Sequence, residues 1–322
     1  MLAIQIRAAG GPEVLEAVDL PDPSPGAGQI LIRNQAIGLN FIDTYQRSGL
    51  YPMRFPAVLG QEAAGVVERL GEGVEHLKAG DRVAYSGQAG AYAELYVTPA
   101  ARAIRLPDAV SAEVAAASLL KGMTAEFLLR RCHPVKAGET ILIHAAAGGV
   151  GVIMVQWAKL LGATVIGTVG SEEKARLAKA HGCDHVILYR DEDVAARVRE
   201  ITGGAGVPVA YDSVGKDTFE GTLASLAPRG LFVSFGNASG PVAPFAPLRL
   251  SQAGSVFFTR PTLFDYIAAP EELAASSGAL FELIGSGKLK IEIGQRFKLA
   301  DARAAHEALE GRQTIGASVL LP

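Results

Sequence analysis

Between His144 and Val152 the sequence reads AAAGGVG, a stretch in which every residue but Val150 carries a methyl group or no side chain. Such a stretch matters chemically because something bulky can lie against its backbone. Ala146-Ala147-Gly148-Gly149-Val150-Gly151 aligns with the G-x-G-x-x-G pattern, with alanine in the first glycine slot. An apolar run, ILIHA, precedes it and an amphipathic run follows, so the turn joins a strand to a helix. Gly148 lets the backbone approach a pyrophosphate, and Gly151 lets the helix pack closely on the strand. The helix then presents unpaired N–H groups and the positive end of its dipole. Ala147, Gly148, Gly149, Val150 and Gly151 are therefore the expected phosphate-binding residues of a dinucleotide site. The alternative is a tight strand-to-helix turn with no ligand.

The next strand, TVIGTV, ends at Val169. A dinucleotide lacking a 2′-phosphate is usually held there by an acidic residue that binds the ribose hydroxyl. Here the tip reads Gly170-Ser171, with Lys174 just beyond. A small residue, a hydroxyl and a lysine suit a phosphate, which needs donors and positive charge. The expected cofactor is NADPH (NADP) and not NADH. Glu172 and Glu173 belong to the helix N-terminus, where the dipole favours them.

The elements that position these residues alternate. Strands ILIHA, TVIGTV, HVILY, VPVAYDSV, LFVSFG and SVFFT are separated by helical stretches, which predicts a parallel sheet with helices on both faces. Before residue 100, short strands such as IQIRA, QILIRNQAIGL, AAGVVERLG and YAELYVT alternate with glycine- and proline-rich turns. GEGVEHLKAGDRVAY reads as strand, turn and strand, and 111–131 as one long helix. The tail reads as helix (270–286), strand (289–299), helix (301–310) and strand (SVLLP), and resembles neither half. Trp157 falls on the apolar stripe of its helix and is expected in the core.

With 322 residues, about half of them hydrophobic, the chain has room for about two domains. Net charge is −3 with both signs dispersed, which argues against a nucleic-acid footprint or a polybasic membrane surface. No run is long enough for a membrane helix, and the first residues lack the features of a signal peptide. A cytoplasmic protein is expected. Cys132 and Cys183 can make neither a disulfide framework nor a four-cysteine zinc site, and both are read as buried hydrophobes. No conspicuous His, Ser or carboxylate dyad is present.

Over its whole length the sequence resembles the zinc-free quinone oxidoreductases of the medium-chain dehydrogenase/reductase superfamily, the zeta-crystallin-like group. The resemblance lies in HAAAGGVGVIMVQWAKLLGATVIGTVGSEEKARLAKAHGCDHVI, and also in GLNFIDTYQRSGLYP, GQEAAGVVERLGEGV, SLLKGMTAEFLL, FFTRPTLFDYIA and GRQTIGASVLLP. It implies an α/β protein: a Rossmann doubly wound parallel sheet domain plus a GroES-like β-rich catalytic domain. The implied boundaries are 1–121 and 265–322 for the catalytic domain and 122–264 for the NADPH-binding domain. Gln61, in Gly60-Gln61-Glu62, stands where the zinc branch has a ligand histidine, so no metal is expected.

The resemblance also implies site residues. Lys174 and Tyr189 would hold the adenosine 2′-phosphate and line the adenine. Asn40, Asp43, Tyr45 and Tyr51, with Arg260, would serve the nicotinamide and substrate cleft. Thr124, Phe235, Gly236, Asn237 and Phe258 would line the cofactor, with Arg312 a further cofactor-side residue. The bland readings are half-buried packing for the tyrosines and a turn or cap for Asp43.

The expected activity is NADPH-dependent reduction of a quinone. The competing activity is reduction of the C=C bond of an α,β-unsaturated ketone or aldehyde, and a non-catalytic NADPH-binding protein is the alternative of another class. A homodimer through the edge strand SVFFT is implied as well.

Overall fold

The computed structural model describes residues 1–322. The chain divides into two compact units, Met1–Met123 with Ile267–Pro322, and Thr124–Tyr266.

The first unit is built on a seven-stranded sheet. Its strands run in the order Ile293–Lys298, Ala317–Leu321, Gln29–Leu39, Glu62–Leu70, Arg82–Ser86 and Ile104–Arg105, with Leu95–Pro99 also paired to Gln29–Leu39. All pairs are antiparallel except Ile293–Lys298 with Ala317–Leu321. The odd tail thus completes the sheet begun near the N-terminus, with Ser318 opposite Leu39 and Leu320 opposite Ile37. Ile30, Ile32, Ile37, Leu59, Val67, Val83, Leu299 and Leu320 share one apolar cluster. A smaller sheet joins Glu16–Asp19, Leu2–Ile6 and Ala57–Val58.

Two local readings of this unit change. Of GEGVEHLKAGDRVAY only the last four residues are extended, in the strand Arg82–Ser86. Gly73 and Gly80 sit at φ +78° and +89°, a left-handed conformation that ends extended structure. Between them and the strand, the Asp81 carboxylate accepts the Lys78 N–H at 3.0 Å and closes a turn. The second is a short helix, Phe41–Ser48, in a stretch assigned no element from its sequence, although Phe41, Ile42 and Tyr45 are spaced for one helical face. It begins where the Asp43 carboxylate accepts the Asn40 N–H at 2.9 Å, and ends at Gly49, φ +82°.

The second unit is a six-stranded parallel sheet. In spatial order its strands are His185–Leu188, Thr164–Val169, Thr140–Ile143, Val207–Asp212, Leu226–Ser234 and Phe257–Thr259. Counted along the chain this is 3-2-1-4-5-6, the doubly wound order. The order reverses between Thr140–Ile143 and Val207–Asp212, and the small-residue turn leaves the first of these. Leu142, Ile166, Ile187, Ala210 and Phe232 fill the core. Trp157 is buried, as expected. The helix expected over 111–131 is α-helical from Ala112 to Phe127 and widens to a π-type turn over Leu128–Cys132. Cys183 is buried, and burial pushes its thiol up to about 12, while Cys132 is only half-buried.

Candidate functional site

Each unit contributes a distinct group of residues, described separately.

In the second unit, strand Thr140–Ile143 passes through Ala145, at φ 52°, into the helix Gly149–Leu160. Gly148 is its N-cap and supplies no side-chain hydrogen bond, so first-turn N–H groups are left for another acceptor. The two key glycines do different jobs. A Cβ on Gly151 would lie 2.2 Å from the Ala145 carbonyl oxygen and 2.9 Å from the Ala146 backbone. At Gly148 the only neighbour within reach is the same carbonyl oxygen, at 3.2 Å. Gly151 therefore admits the helix to the turn, and Gly148 leaves the turn's outer side open. Ala147 is buried behind it.

Gly170, Ser171, Lys174 and Tyr189 come together at the carboxyl ends of the two outer strands. A Cβ on Gly170 would lie 2.6 Å from the Tyr189 hydroxyl, and the Tyr189 N–H donates to the Val169 carbonyl at 3.2 Å. Ser171 caps the helix Glu172–Ala180, its hydroxyl accepting the Lys174 N–H at 3.4 Å. Lys174 is half-buried in that first turn.

Phe235, Gly236 and Asn237 follow strand Leu226–Ser234. The Phe235 N–H donates to the Asp212 carbonyl at 2.8 Å, and a Cβ on Gly236 would lie 2.4 Å from the Ser213 carbonyl oxygen. The Asp212 carboxylate fixes the facing loop. It is fully buried and accepts from the N–H groups of Val214 (2.7 Å) and Gly215 (3.0 Å) and from the hydroxyls of Thr218 (2.7 Å) and Thr222 (3.0 Å). His144, between the hydroxyls of Thr168 and Thr222 at 2.9 Å each, is held neutral by burial. Phe258 packs with Phe232, Phe245 and Phe219, ring centroids 5.1, 5.3 and 6.4 Å away. Arg260 is exposed and donates to the Pro261 carbonyl at 3.3 Å. Thr124 is buried at the start of this unit.

In the first unit, Asn40, Asp43, Tyr45 and Tyr51 gather around the short helix. Tyr45 is 8% exposed and meets Tyr51 edge-on, centroids 5.3 Å apart. The Tyr51 N–H donates to the Tyr45 carbonyl at 3.0 Å. The Asn40 amide donates to Glu62 Oε2 at 2.8 Å and to the Gly38 carbonyl at 3.3 Å. Both its hydrogens are spent, so Asn40 has only its oxygen to offer outward. Asp43 is 0% exposed, which leaves it no surface to meet a substrate. Arg312 lies in the same unit, after the helix Ala302–Glu310, at φ 58°.

Sequence reasoning missed the groups behind these residues. Glu62 accepts from Asn40, from Lys121 Nζ at 2.9 Å and from the Leu120 N–H at 2.7 Å. The Tyr92 hydroxyl donates to Asp43 Oδ2 at 2.9 Å and meets His306 Nε2 at 3.0 Å. His306 Nδ1 meets Arg47 at 3.0 Å, and Arg47 pairs with Glu310 at 2.7 Å. The available signals were a lysine within the apolar stretch SLLKGM and the glutamate of Gly60-Gln61-Glu62. Burial pushes the Asp43 carboxyl up to about 7, against the pull of the Asn40 N–H, the Tyr92 hydroxyl and Lys121, while Glu62 adds to the rise. Burial, helped by the Arg47 charge, drives His306 down to about 3.

Family models match both units: an alcohol dehydrogenase GroES-like domain over residues 26–108 and a zinc-binding dehydrogenase domain over 149–272. A quinone oxidoreductase of Pseudomonas aeruginosa is 55% identical over 99% of each chain. The chain belongs to the quinone oxidoreductases of the medium-chain dehydrogenase/reductase superfamily. An Escherichia coli quinone oxidoreductase, whose structure was solved in complex with NADPH, superposes with a TM-score of 0.98 over the full length of both chains at 51% identity. A 2-haloacrylate reductase from Burkholderia is 46% identical over 100% of this chain and 99% of its own. As in the GroES-like and Rossmann pairing that the quinone oxidoreductases imply, the fold is α/β with one β-rich and one doubly wound unit.

The name of the second family model raises the question of zinc. The donor set does not fit it: position 61 is glutamine, and no three His, Cys, Asp or Glu side chains are grouped to hold a metal ion. A dinucleotide does fit, because the uncapped helix N-terminus behind an open Gly148 matches what a pyrophosphate needs.

Proposed function

We propose that this chain reduces quinones with NADPH and without a metal. One observation carries the reading: an uncapped, glycine-opened helix N-terminus lies in a chain similar end to end to a quinone oxidoreductase solved with NADPH. Bound NADPH supplies a hydride equivalent to the ring. The chain's own work is binding, orientation and electrostatics.

Ala147, Gly148, Gly149, Val150 and Gly151 bind the pyrophosphate through N–H groups. Gly170, Ser171, Lys174 and Tyr189 receive the adenosine end, with Lys174 opposite the 2′-phosphate. Thr124, Phe235, Gly236, Asn237 and Phe258 line the cofactor, and Arg312 is a further cofactor contact. Asn40, Asp43, Tyr45, Tyr51 and Arg260 serve the substrate side, Asn40 and Asp43 by fixing the start of the helix that carries Tyr45. The units Thr124–Tyr266 and Met1–Met123 with Ile267–Pro322 are read as the NADPH-binding and catalytic domains.

A quinone is a strong electrophile, and its product oxygens can take protons from water. Hydrogen bonds to the oxygen that gains negative charge are the main help it needs. With the Asn40 amide committed to Glu62 and Gly38, the donors left among the substrate-side residues are the tyrosine hydroxyls and the Arg260 guanidinium. Loss of one such donor costs about 10²-fold in rate, so Tyr51→Phe lowers kcat if it is the donor.

The relationship to the 2-haloacrylate reductase favours C=C reduction as the second reading. It also needs a proton at carbon, which a positioned tyrosine can give. Purified protein mixed with NADPH and 1,4-benzoquinone, without added metal, tests the first reading. Enzyme-dependent loss of absorbance at the reduced-nicotinamide band, faster than with NADH, is expected. Loss with a linear enone alone favours the second reading, and tight NADPH binding without turnover on either overturns both.

We also read the chain as a cytoplasmic homodimer. Phe257–Thr259 ends the parallel sheet, and Phe257 is 64% exposed on it. No helix is long and apolar enough to cross a membrane. Sedimentation of the wild type and Phe257→Arg tests the dimer: a wild-type monomer refutes it.

A further inference from the structure

We propose that Tyr92 and His306 are positioning residues for the substrate side of the site, holding the Asp43 carboxylate as an acceptor through a one-way chain of hydrogen bonds. The inference rests on the reading that the helix Phe41–Ser48 and its tyrosines serve the substrate.

The direction of the chain follows from donor chemistry. A guanidinium only donates. The contact from Arg47 at 3.0 Å therefore makes His306 Nδ1 an acceptor and places the ring proton on Nε2. Nε2 then donates to the Tyr92 oxygen at 3.0 Å, and the Tyr92 hydroxyl is free to donate to Asp43 Oδ2 at 2.9 Å. Asn40 N–H donates to the same oxygen at 2.9 Å. Each link is set by the one before it, back to the Arg47–Glu310 pair. Arg47, Tyr92 and His306 are all buried, so water cannot substitute for a missing link.

Asp43 is where the chain ends, and it is poorly served otherwise. Its Oδ1 is buried with no hydrogen-bond partner. Protonation would put a donor on an oxygen without an acceptor or displace one of the donors on Oδ2. Either outcome loosens the start of the helix and the Asn40–Glu62–Lys121 linkage attached to it. The charged groups that act on Asp43 are Lys121, which favours the carboxylate, and Glu62, which opposes it. Arg47 and Glu310 lie beyond His306. Burial holds the carboxyl up to about 7, inside the pH range over which turnover is followed below.

The test follows kcat with NADPH and 1,4-benzoquinone from pH 5.5 to 8.5 for wild type, Tyr92→Phe, His306→Leu, the double variant and Asp43→Asn, with the thermal midpoint of each. Removing the Tyr92 donor shifts the acid limb of the profile upward by about one pH unit. Turnover at pH 6 then falls about 5- to 10-fold, while at pH 8.5 it stays within about twofold of wild type. His306→Leu shifts the limb in the same direction by less. The double variant shifts it no further than Tyr92→Phe alone, because His306 acts only through Tyr92. Asp43→Asn removes the limb.

A loss that is uniform across pH, or shifts that add in the double variant, overturns the proposal. So does an unmoved limb in both single variants while Asp43→Asn abolishes it. If Asp43→Asn keeps the wild-type rate and profile, the substrate-side reading itself fails. A variant that does not fold leaves the other single variant and Asp43→Asn to decide.

Discussion

At the scale of single residues, the two key glycines of the turn separate folding from binding. Gly148→Ala meets only one carbonyl oxygen, at 3.2 Å, so its thermal midpoint should stay near wild type while NADPH binding weakens sharply. Gly151→Ala drives a Cβ to 2.2 Å from the Ala145 oxygen and should cost about 1–3 kcal/mol of stability, measured by urea unfolding. Lys174→Ala should raise the NADPH dissociation constant about 10- to 100-fold, as expected for one charge-assisted contact. NADH binding, measured by the same titration, should change less than about twofold. The glycine turn and the place of Lys174 in the first turn of the next helix were legible because neighbouring residues set both. Glu62, Tyr92, Lys121 and His306 were not, because their partners lie far along the chain. Tyr92 and His306 are 214 positions apart, and Arg47 and His306 are 259 apart.

At the scale of elements, the inner parallel strands read cleanly because they are apolar runs with both faces covered. The helix Phe41–Ser48 did not, because its composition is polar. Its reasons for existing are a carboxylate at one end, a left-handed glycine at the other and one buried guanidinium. Arg47 is 2% exposed and joins this helix to Ala302–Glu310. Replacing it with alanine leaves Glu310 unpaired and His306 without its donor. Arg47→Ala should destabilise by about 3–5 kcal/mol in urea unfolding, because it removes a large buried side chain and its hydrogen bonds to the Gly10 carbonyl and His306. Glu310→Gln leaves the buried Arg47 guanidinium without its counter-charge and should also destabilise, by less than Arg47→Ala because the amide oxygen still accepts from it. The turns over 71–80 were misread because apolar Val74 and Leu77 lie between two glycine-bearing stretches, while glycine conformations and the Asp81 carboxylate decide against a strand.

For the whole molecule, Asp43 and His306 pull stability in opposite directions with pH. The Asp43 carboxyl is raised from 3.8 to about 7, so its contribution is complete below the unfolded value and is lost as pH rises toward 7. His306 is lowered from 6.5 to about 3, so its contribution is complete above 6.5 and is lost as pH falls toward 3. Between about pH 4 and 6.5 the two slopes oppose, each up to about 1.4 kcal/mol per pH unit. Wild-type stability, measured by urea unfolding at pH 4.5, 5.5 and 6.5, should owe little net slope to this pair. Asp43→Asn should expose a rise with pH across that range, and His306→Leu a fall. Parallel curves for all three proteins would show that these groups do not titrate with unfolding.

The antiparallel pairing of Ala317–Leu321 with Gln29–Leu39 also has a consequence for synthesis. A ribosome delivers residues 124–266 long before it delivers that strand, and every strand of the parallel sheet lies within 124–266. The parallel sheet has all its strands while translation continues. The sheet that starts first must finish last, with the Ile37–Leu39 end of one edge unpaired until the final strand emerges, while Leu95–Pro99 covers Gln29–Arg33 earlier. Its exposure to aggregation is therefore set by the time taken to translate roughly 280 residues, at about 5–20 residues per second.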